Sequence, residues 1–161
     1  AINASYAPKG TSYQSSTAYS VVYSGIDGLA LTFARGEDNA TAGSEADHEV
    51  MKATYAYGPI TVGYMESDYN DAVASGDQNT TAYNVAYTIS DELSVSYGSE
   101  ELEFGVQSAT NVAAEFERLS VTYVTGGMTL TASQASGDNV SYSTATTEDR
   151  EVWALGASFA F

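Results

Sequence analysis

The only histidine in the chain, His48, stands between two carboxylates, Asp47 and Glu49. An imidazole beside a carboxylate is the pairing that activates water for hydrolysis. Because the chain has 21 acidic residues, one such neighbour is expected by chance, and no second acidic pair is evident for the same site. No phosphate-binding loop, zinc-ligand spacing or nucleophile motif appears elsewhere. We therefore predict that the protein is not an enzyme and keep hydrolysis at His48 as an alternative.

Carboxylates are the other groups that could hold a ligand, because Ca²⁺ and Mg²⁺ prefer carboxylate oxygens. Asp68, Asp71 and Asp77 lie in one segment but lack the regular spacing of a calcium-binding loop. Four glutamates lie near the ends of predicted strands: Glu49, Glu66, Glu117 and Glu151. A solvated acidic rim is the simpler interpretation, so we predict no metal site. Binding of Ca²⁺ or Mg²⁺ at the acidic outer loops is the alternative.

The balance of charges excludes one class of partner. Five basic residues against 21 acidic ones give a formal net charge of −16. Nucleic acid is excluded, because phosphate binding needs clustered Lys and Arg. The chain has no cysteine, so it has neither a disulfide framework nor a thiolate metal site. Its 43% apolar and 12% aromatic residues argue against disorder.

Apolar and polar residues alternate with a period of two in many segments, which predicts an all-β fold. Helical periodicity appears nowhere at useful length, and 13 tyrosines against two prolines also favour a sheet. Ten strands are predicted: Ile2–Ala7, Ser16–Ser24, Leu29–Arg35, Glu49–Tyr57, Ile60–Ser67, Thr81–Ile89, Leu93–Glu100, Phe116–Thr125, Met128–Gln134 and Arg150–Phe161.

The predicted connections alternate between short and long. Short turns contain Gly, Pro, Asp or Ser and lie at Gly25–Gly28, Gly58–Pro59, Ser90–Glu92 and Gly126–Gly127. The long loops lie near residues 8–15, 36–48, 68–80, 101–115 and 135–149. This order predicts one antiparallel up-and-down unit over residues 1–161. Short turns at one end and long loops at the other are typical of a transmembrane β-barrel in an outer membrane.

Splitting the strands by parity gives an apolar face and a face of small polar residues. The predicted residues on the polar, water-facing side are Lys52, Thr54, Asn84, Ser96, Arg118, Thr122 and Thr131. If this side lines a pore, Lys52 and Arg118 form a basic wall that selects anions or orients solute dipoles. The other interpretation is that they pair with loop acids such as Glu100 or Glu103 and fix the loops.

Aromatic residues on the apolar side predict contact with a membrane interface, where a ring lies among headgroups and a hydroxyl stays wet. These residues are Tyr23, Tyr57, Tyr87, Tyr123, Trp153 and Phe159. A strand of about nine residues, tilted by about 40°, spans roughly 23 Å, near the height of an outer-membrane apolar band. A soluble sandwich is the alternative, but its solvent face normally carries Lys and Glu in mid-strand.

The last strand carries Gly156, Phe159 and Phe161 in the segment Ala154-Leu-Gly-Ala-Ser-Phe-Ala-Phe161. This segment resembles the terminal strand of Gram-negative porins, which is their assembly signal, although its first position is Ala154 where the family often has a polar residue. Tyr57-Gly-Pro-Ile-Thr-Val-Gly-Tyr64 is similar to the tight hairpins of alphaproteobacterial porins.

The resemblance implies a water-filled channel in the outer membrane for passive diffusion of small polar solutes and ions. It implies a homotrimer of barrels with about sixteen strands each, of which this chain would supply the C-terminal part. The implied partners are outer-membrane lipid, lipopolysaccharide and, through the last strand, the barrel-assembly machinery. The alternative is a complete ten-stranded outer-membrane barrel that acts as a protease at its rim or as a structural surface anchor.

Overall fold

Ten antiparallel strands follow one another along the chain and pair with their neighbours in the same order, forming one sheet. The strands are β1 (Ile2–Ala7), β2 (Ser16–Ile26), β3 (Leu29–Thr41), β4 (Ser44–Tyr57), β5 (Ile60–Asn70), β6 (Gln78–Thr88), β7 (Leu93–Phe104), β8 (Ala114–Thr125), β9 (Met128–Asp138) and β10 (Arg150–Phe159). The computed structural model describes residues 1–10, 14–41, 44–72, 76–106, 108, 111–143 and 149–160. The predicted all-β, up-and-down order of ten strands is confirmed.

The short turns close the hairpins with the residues predicted to do so. Gly126 and Gly127 both have positive φ, 54° and 82°, as a two-residue type I′ hairpin requires. The first turn is tighter than predicted, because β2 continues through an irregularity in its pairing after Tyr23 and ends at Ile26. The turn residues therefore predicted the strand ends on this side of every hairpin to within two residues.

At the opposite end, most strands run further than their sequence alternation. The largest difference lies over residues 36–48, where a long loop was expected. Here β3 continues to Thr41 and β4 begins at Ser44, so most of this segment is paired strand. Sequence alternation indicates only which side chains are removed from water. Backbone hydrogen bonds between strands do not depend on side-chain polarity, so they also form where both strands are polar. Glu37, for example, pairs with Asp47, although both are acidic.

The register is staggered in one direction at the short-turn end. Leu29 begins β3 and pairs with Tyr55, two residues before β4 ends. Leu93 begins β7 and pairs with Tyr123, two residues before β8 ends. Strands that tilt within a curved sheet produce a stagger of this kind, and a closed barrel requires it.

Directly paired residues point to the same side of the sheet, so the register defines two faces. One pairing row of the apolar face contains Val62, Val85, Tyr97 and Leu119. The neighbouring row on the opposite side, the polar face, contains Thr54, Gly63, Asn84, Gly98 and Arg118.

The sheet has almost no core of its own. Among the described residues, the only buried apolar side chains are Ala46 and Ala114, and no large side chain is fully buried. Extensive contacts join each strand only to its neighbours in the sheet. The apolar face is therefore exposed instead of packed against a second layer, and the two-layer sandwich is not what this chain forms. The exposed apolar residues include Tyr19, Val21, Leu31, Met51, Val62, Tyr83, Val85, Leu119, Val121 and Leu155.

The two outer strands each have an unpaired edge. Within the described part of the chain, no backbone pairing joins β1 to β10. Every residue of both strands is exposed, and Leu155 of β10 keeps 84% of its accessible surface. The sheet is compatible with a barrel wall, but these two edges are not joined to each other. The described residues also contain no helix that is long and apolar enough to cross a membrane.

Candidate functional site

The centre of the polar face holds a groove of about 700 Å³ that crosses β4 to β9. Among the residues predicted to face water, Lys52, Asn84 and Arg118 all line it. These side chains come from three separate hairpins and line one groove because the register places Asn84 and Arg118 in one row, with Lys52 in the next row of the same face. Other lining residues that the site uses are Gly63, Met65, Gly98, Glu100 and Phe116.

Asn84 lies low in this groove because its neighbours on both sides are glycines. It pairs with Gly63 in β5 and with Gly98 in β7. A Cβ added at Gly63 would overlap the amide oxygen of Asn84, so the side chain rests across that glycine. A Cβ at Gly98 would lie 3.8 Å from Asn84 Cβ, in ordinary contact. The two glycines thus keep the floor of the groove open around one amide.

Arg118 is held in place by two hydroxyls of the polar face. Its Nε donates to Ser120 Oγ at 3.2 Å, and one terminal nitrogen donates to Ser133 Oγ at 3.3 Å. Within the described residues, neither Arg118 nor Lys52 forms an ion pair, and the proposed pairing with Glu100 or Glu103 is not found. Both cations therefore remain without a carboxylate partner in that part of the chain.

Three of the remaining predicted polar residues lie below the groove, towards the short turns, and Thr54 lies beside it. Ser96 pairs with Ser120, and Thr122 pairs with Thr131. Thr54 pairs with Gly63 and shares a row with Asn84. All seven predicted water-facing residues therefore share one face, where most other side chains are small and the larger Met65, Leu102 and Phe116 line the groove.

The predicted interface aromatics all lie on the apolar face. Tyr23, Tyr57, Tyr87 and Tyr123 follow the short-turn end, and Phe159 joins them through its pairing with Met128. Trp153 is at a different level. Its Nε1 donates to Glu151 at 3.0 Å, near the long-loop end.

A second row of aromatics, which the sequence interpretation missed, lies at the level of Trp153. It includes Tyr64 and Tyr97, whose hydroxyls donate to Glu66 at 3.2 Å and to Glu117 at 2.6 Å. The spacing of four residues between Tyr19 and Tyr23, and between Tyr83 and Tyr87, was the available indication. In a strand, residues four apart lie on one face at two heights. The apolar face is therefore bordered by aromatics at both ends.

The acidic residues that could bind cations lie beyond this second aromatic row. Arg35 neutralises part of the cluster through Asp47 at 3.4 Å and Glu49 at 3.8 Å. The three loop aspartates do not converge on a point, since Asp77 accepts from the backbone N–H of Asp71 and Asp68 accepts from Asn79. Within the described ranges, no group of three or more acidic or histidine side chains is placed to hold a metal ion.

His48 lies on the polar face, while its sequence neighbours Asp47 and Glu49 point to the opposite side with Arg35. Its Nε2 hydrogen-bonds Ser67 Oγ at 3.0 Å, and its ring meets Tyr69 edge-on at 6.2 Å. The two adjacent carboxylates are therefore not placed to orient this imidazole.

In the terminal strand, Gly156 pairs with Thr131 on the polar face, and Phe159 stands on the apolar face with 59% of its surface exposed. The third member of the predicted assembly signal, Phe161, lies outside the described residues. No protein-family model matches the chain, and no curated protein matches its sequence.

Proposed function

We propose that this chain is part of an outer-membrane porin, whose wall it forms together with further strands, and which admits small polar solutes and ions by passive diffusion. One observation carries the proposal. A single layer of ten strands has an exposed apolar face, an opposite face of mostly small and half-buried residues, and almost no buried core within its described residues.

The apolar face needs an apolar environment. Moving one such large side chain out of water contributes on the order of 1 kcal/mol or more. Among the described residues, exposed side chains of this kind stand on this face in every strand except β7 and β9. A patch of this extent marks an interaction surface on a protein. Aromatic side chains at both borders, with hydroxyl or indole donors turned towards polar groups, match the girdles of a barrel at a lipid interface.

The polar face suits water. Its residues are mostly Ser, Thr, Gly, Ala and Asn, which are too small to fill the space enclosed by a wide barrel. Arg118 and Lys52 stand on it without carboxylate partners in the described residues, which is favourable only where water reaches them. Three larger apolar residues of this face, Met65, Leu102 and Phe116, line the groove, but no large side chain of the described residues is fully buried, as the filled interior of a narrow anchor would require.

We propose that strands beyond the ten described close the wall. An unpaired backbone group in lipid costs several kcal/mol, so the free edges of β1 and β10 must both be paired in the membrane. We propose a barrel of about sixteen strands, in which further strands of the native protein lie between these edges. The exposed edge of β10 also offers the assembly machinery a strand for β-augmentation.

We base the remaining partners on the resemblance of the terminal strand to that of porins. Lipid covers the apolar face, lipopolysaccharide contacts the acidic rim beyond the upper aromatics, and three copies assemble into a trimer.

The test is single-channel recording of the native, full-length protein in a planar bilayer. Large, stable, stepwise openings are expected. Folded and membrane-inserted protein that gives no conductance would contradict the proposal. A matched sample of heat-unfolded protein at the same concentration controls for detergent artefacts.

A further inference from the structure

We infer that the groove around Asn84 gives the channel a preference for small anionic solutes, although the protein as a whole is strongly acidic. This inference rests on the proposed pore function and adds the class of solute that the pore favours. The inference depends on which charged side chains lie on the polar face and which lie on the apolar face.

Three charged side chains belong to the polar side of the groove: Lys52, Arg118 and Glu100. Glu117 also borders the groove, but its carboxylate accepts a hydrogen bond from Tyr97 on the apolar face. Two cations and one carboxylate leave the groove with a net charge of +1.

The two cations keep their capacity to bind. Arg118 uses two of its N–H donors on Ser120 and Ser133, and a guanidinium has five. Those two hydroxyls fix the plane of the guanidinium, and a planar, fixed fork is the geometry that suits a carboxylate or phosphate. Lys52 makes no hydrogen bond or ion pair with any described residue, so its ammonium stays available to solutes.

The amide of Asn84 lies between these cations, on a floor that the flanking glycines keep low. A solute can therefore approach the backbone of β7 closely at Gly98, whereas the Asn84 amide itself covers Gly63 in β5. The amide supplies a neutral donor and acceptor that helps replace lost hydration without adding a charge of its own.

The acidic residues outside the groove act weakly on a solute inside it. Most paired acids at the long-loop end, such as Glu49, Glu66 and Glu151, point to the apolar face. Screening reduces the influence of exposed charges beyond about 8 Å at physiological ionic strength. The local charges of the groove therefore determine the sign of selectivity, and the acidic rim determines only the ion concentration at the mouth.

The experiment measures reversal potentials of the full-length protein in a KCl gradient. The wild-type channel is expected to pass chloride in preference to potassium. Arg118→Gln and Lys52→Gln should each lower the chloride-to-potassium permeability ratio, and the double variant by about a factor of two or more. Glu100→Gln should raise the ratio.

The chain offers matched controls for both changes. Arg35→Gln removes the same charge as Arg118→Gln, but from the apolar face, where Arg35 pairs with Asp47 and Glu49. Glu101→Gln removes the same charge as Glu100→Gln at the next residue, on the opposite face. Both controls should leave the permeability ratio unchanged. Their stepwise conductance also shows that loss of such a charge does not by itself prevent folding.

The outcomes separate the two proposals. Stepwise conductance with a ratio that none of the groove variants changes would overturn the anion preference and leave the porin function standing. A cation-selective wild-type channel would do the same. Absence of conductance from inserted protein would remove the pore function, and the anion preference with it.

Discussion

Gly28 and Gly58 both stand in short turns with positive φ, 75° and 55°, but their surroundings differ. A Cβ at Gly28 would overlap the backbone carbonyl oxygen of Ala56, whereas a Cβ at Gly58 would meet nothing within 4 Å. Replacement by alanine therefore strains only the backbone conformation at Gly58. At Gly28 it strains the conformation and also produces a clash with the main chain.

We expect Gly58→Ala to destabilise the folded protein by about 1–2 kcal/mol, the usual cost of a left-handed conformation for a residue with a Cβ. Gly28→Ala should cost clearly more, because backbone cannot move aside as a side chain does. Denaturant unfolding of both variants in the same lipid vesicles measures the difference. Equal costs would show that the space around Gly28 is less constrained than the structure indicates.

At this scale, the sequence predicted the face of a residue but not its contacts. Parity put Asn84 and Arg118 on one side, and the register agrees. It could not predict that Asn84 rests across Gly63 or that Ser133 holds Arg118, because both depend on which residues of other strands become neighbours. At His48, sequence proximity to Asp47 and Glu49 did not mean contact, since consecutive strand residues point to opposite faces.

At the scale of strands, turns were predictable and long-loop ends were not. A two-glycine turn has few alternatives, so Gly126 and Gly127 set the ends of β8 and β9 from local chemistry alone. Beyond the apolar segment, a strand such as β3 continues only because β4 is beside it. That information is non-local, and no pattern within β3 contains it.

The edges of β1 and β10 allow a direct test of strand number. The chain has no cysteine, so introduced thiols are unique. Ser5 pairs with Ala18 across β1 and β2, so the Ser5→Cys, Ala18→Cys variant should form a disulfide readily. Ser5→Cys combined in turn with Ala154→Cys, Gly156→Cys or Ser158→Cys should not, because further strands separate β1 from β10 in the proposed barrel.

Mobility on non-reducing gels of the oxidised, membrane-inserted protein gives the answer. A disulfide between β1 and β10 would mean that ten strands close on themselves. The barrel of about sixteen strands would then be wrong, even if the protein conducts.

At the scale of the whole molecule, the apolar belt is shorter than the strands that carry it. In β5, the apolar face changes from Ile60 near the turn to Glu66, six residues later. In β4, it changes from Tyr57 to Glu49 over eight residues. At about 3.3 Å per residue and a tilt of about 40°, the belt is roughly 15–20 Å tall. This is less than the height of roughly 23 Å that strand length alone predicted.

We therefore expect faster insertion and greater stability in bilayers of short acyl chains than in thick ones, because mismatch costs a fraction of a kcal/mol per Å. Folding yields in vesicles of saturated lipids with increasing chain length measure this dependence. In β4, Met51 is the last apolar-face residue of the belt before Glu49. Met51→Glu therefore shortens the belt and should strengthen the preference for thin bilayers. Met65→Glu, on the polar face, is the matched control. A yield that does not depend on chain length would contradict the short belt.

The near absence of a core among the described residues affects the state that the chain would have before membrane insertion in its proposed role. Because the described residues form almost no core, the sheet gains little by folding in water, and in the proposed role the chain would have to reach the membrane unfolded. That state exposes many tyrosines and branched residues, which invites association between copies. A net charge of −16 opposes this association through mutual repulsion. The acidic composition would then limit aggregation of the unfolded chain, as a chaperone does, until the strands fold in the bilayer.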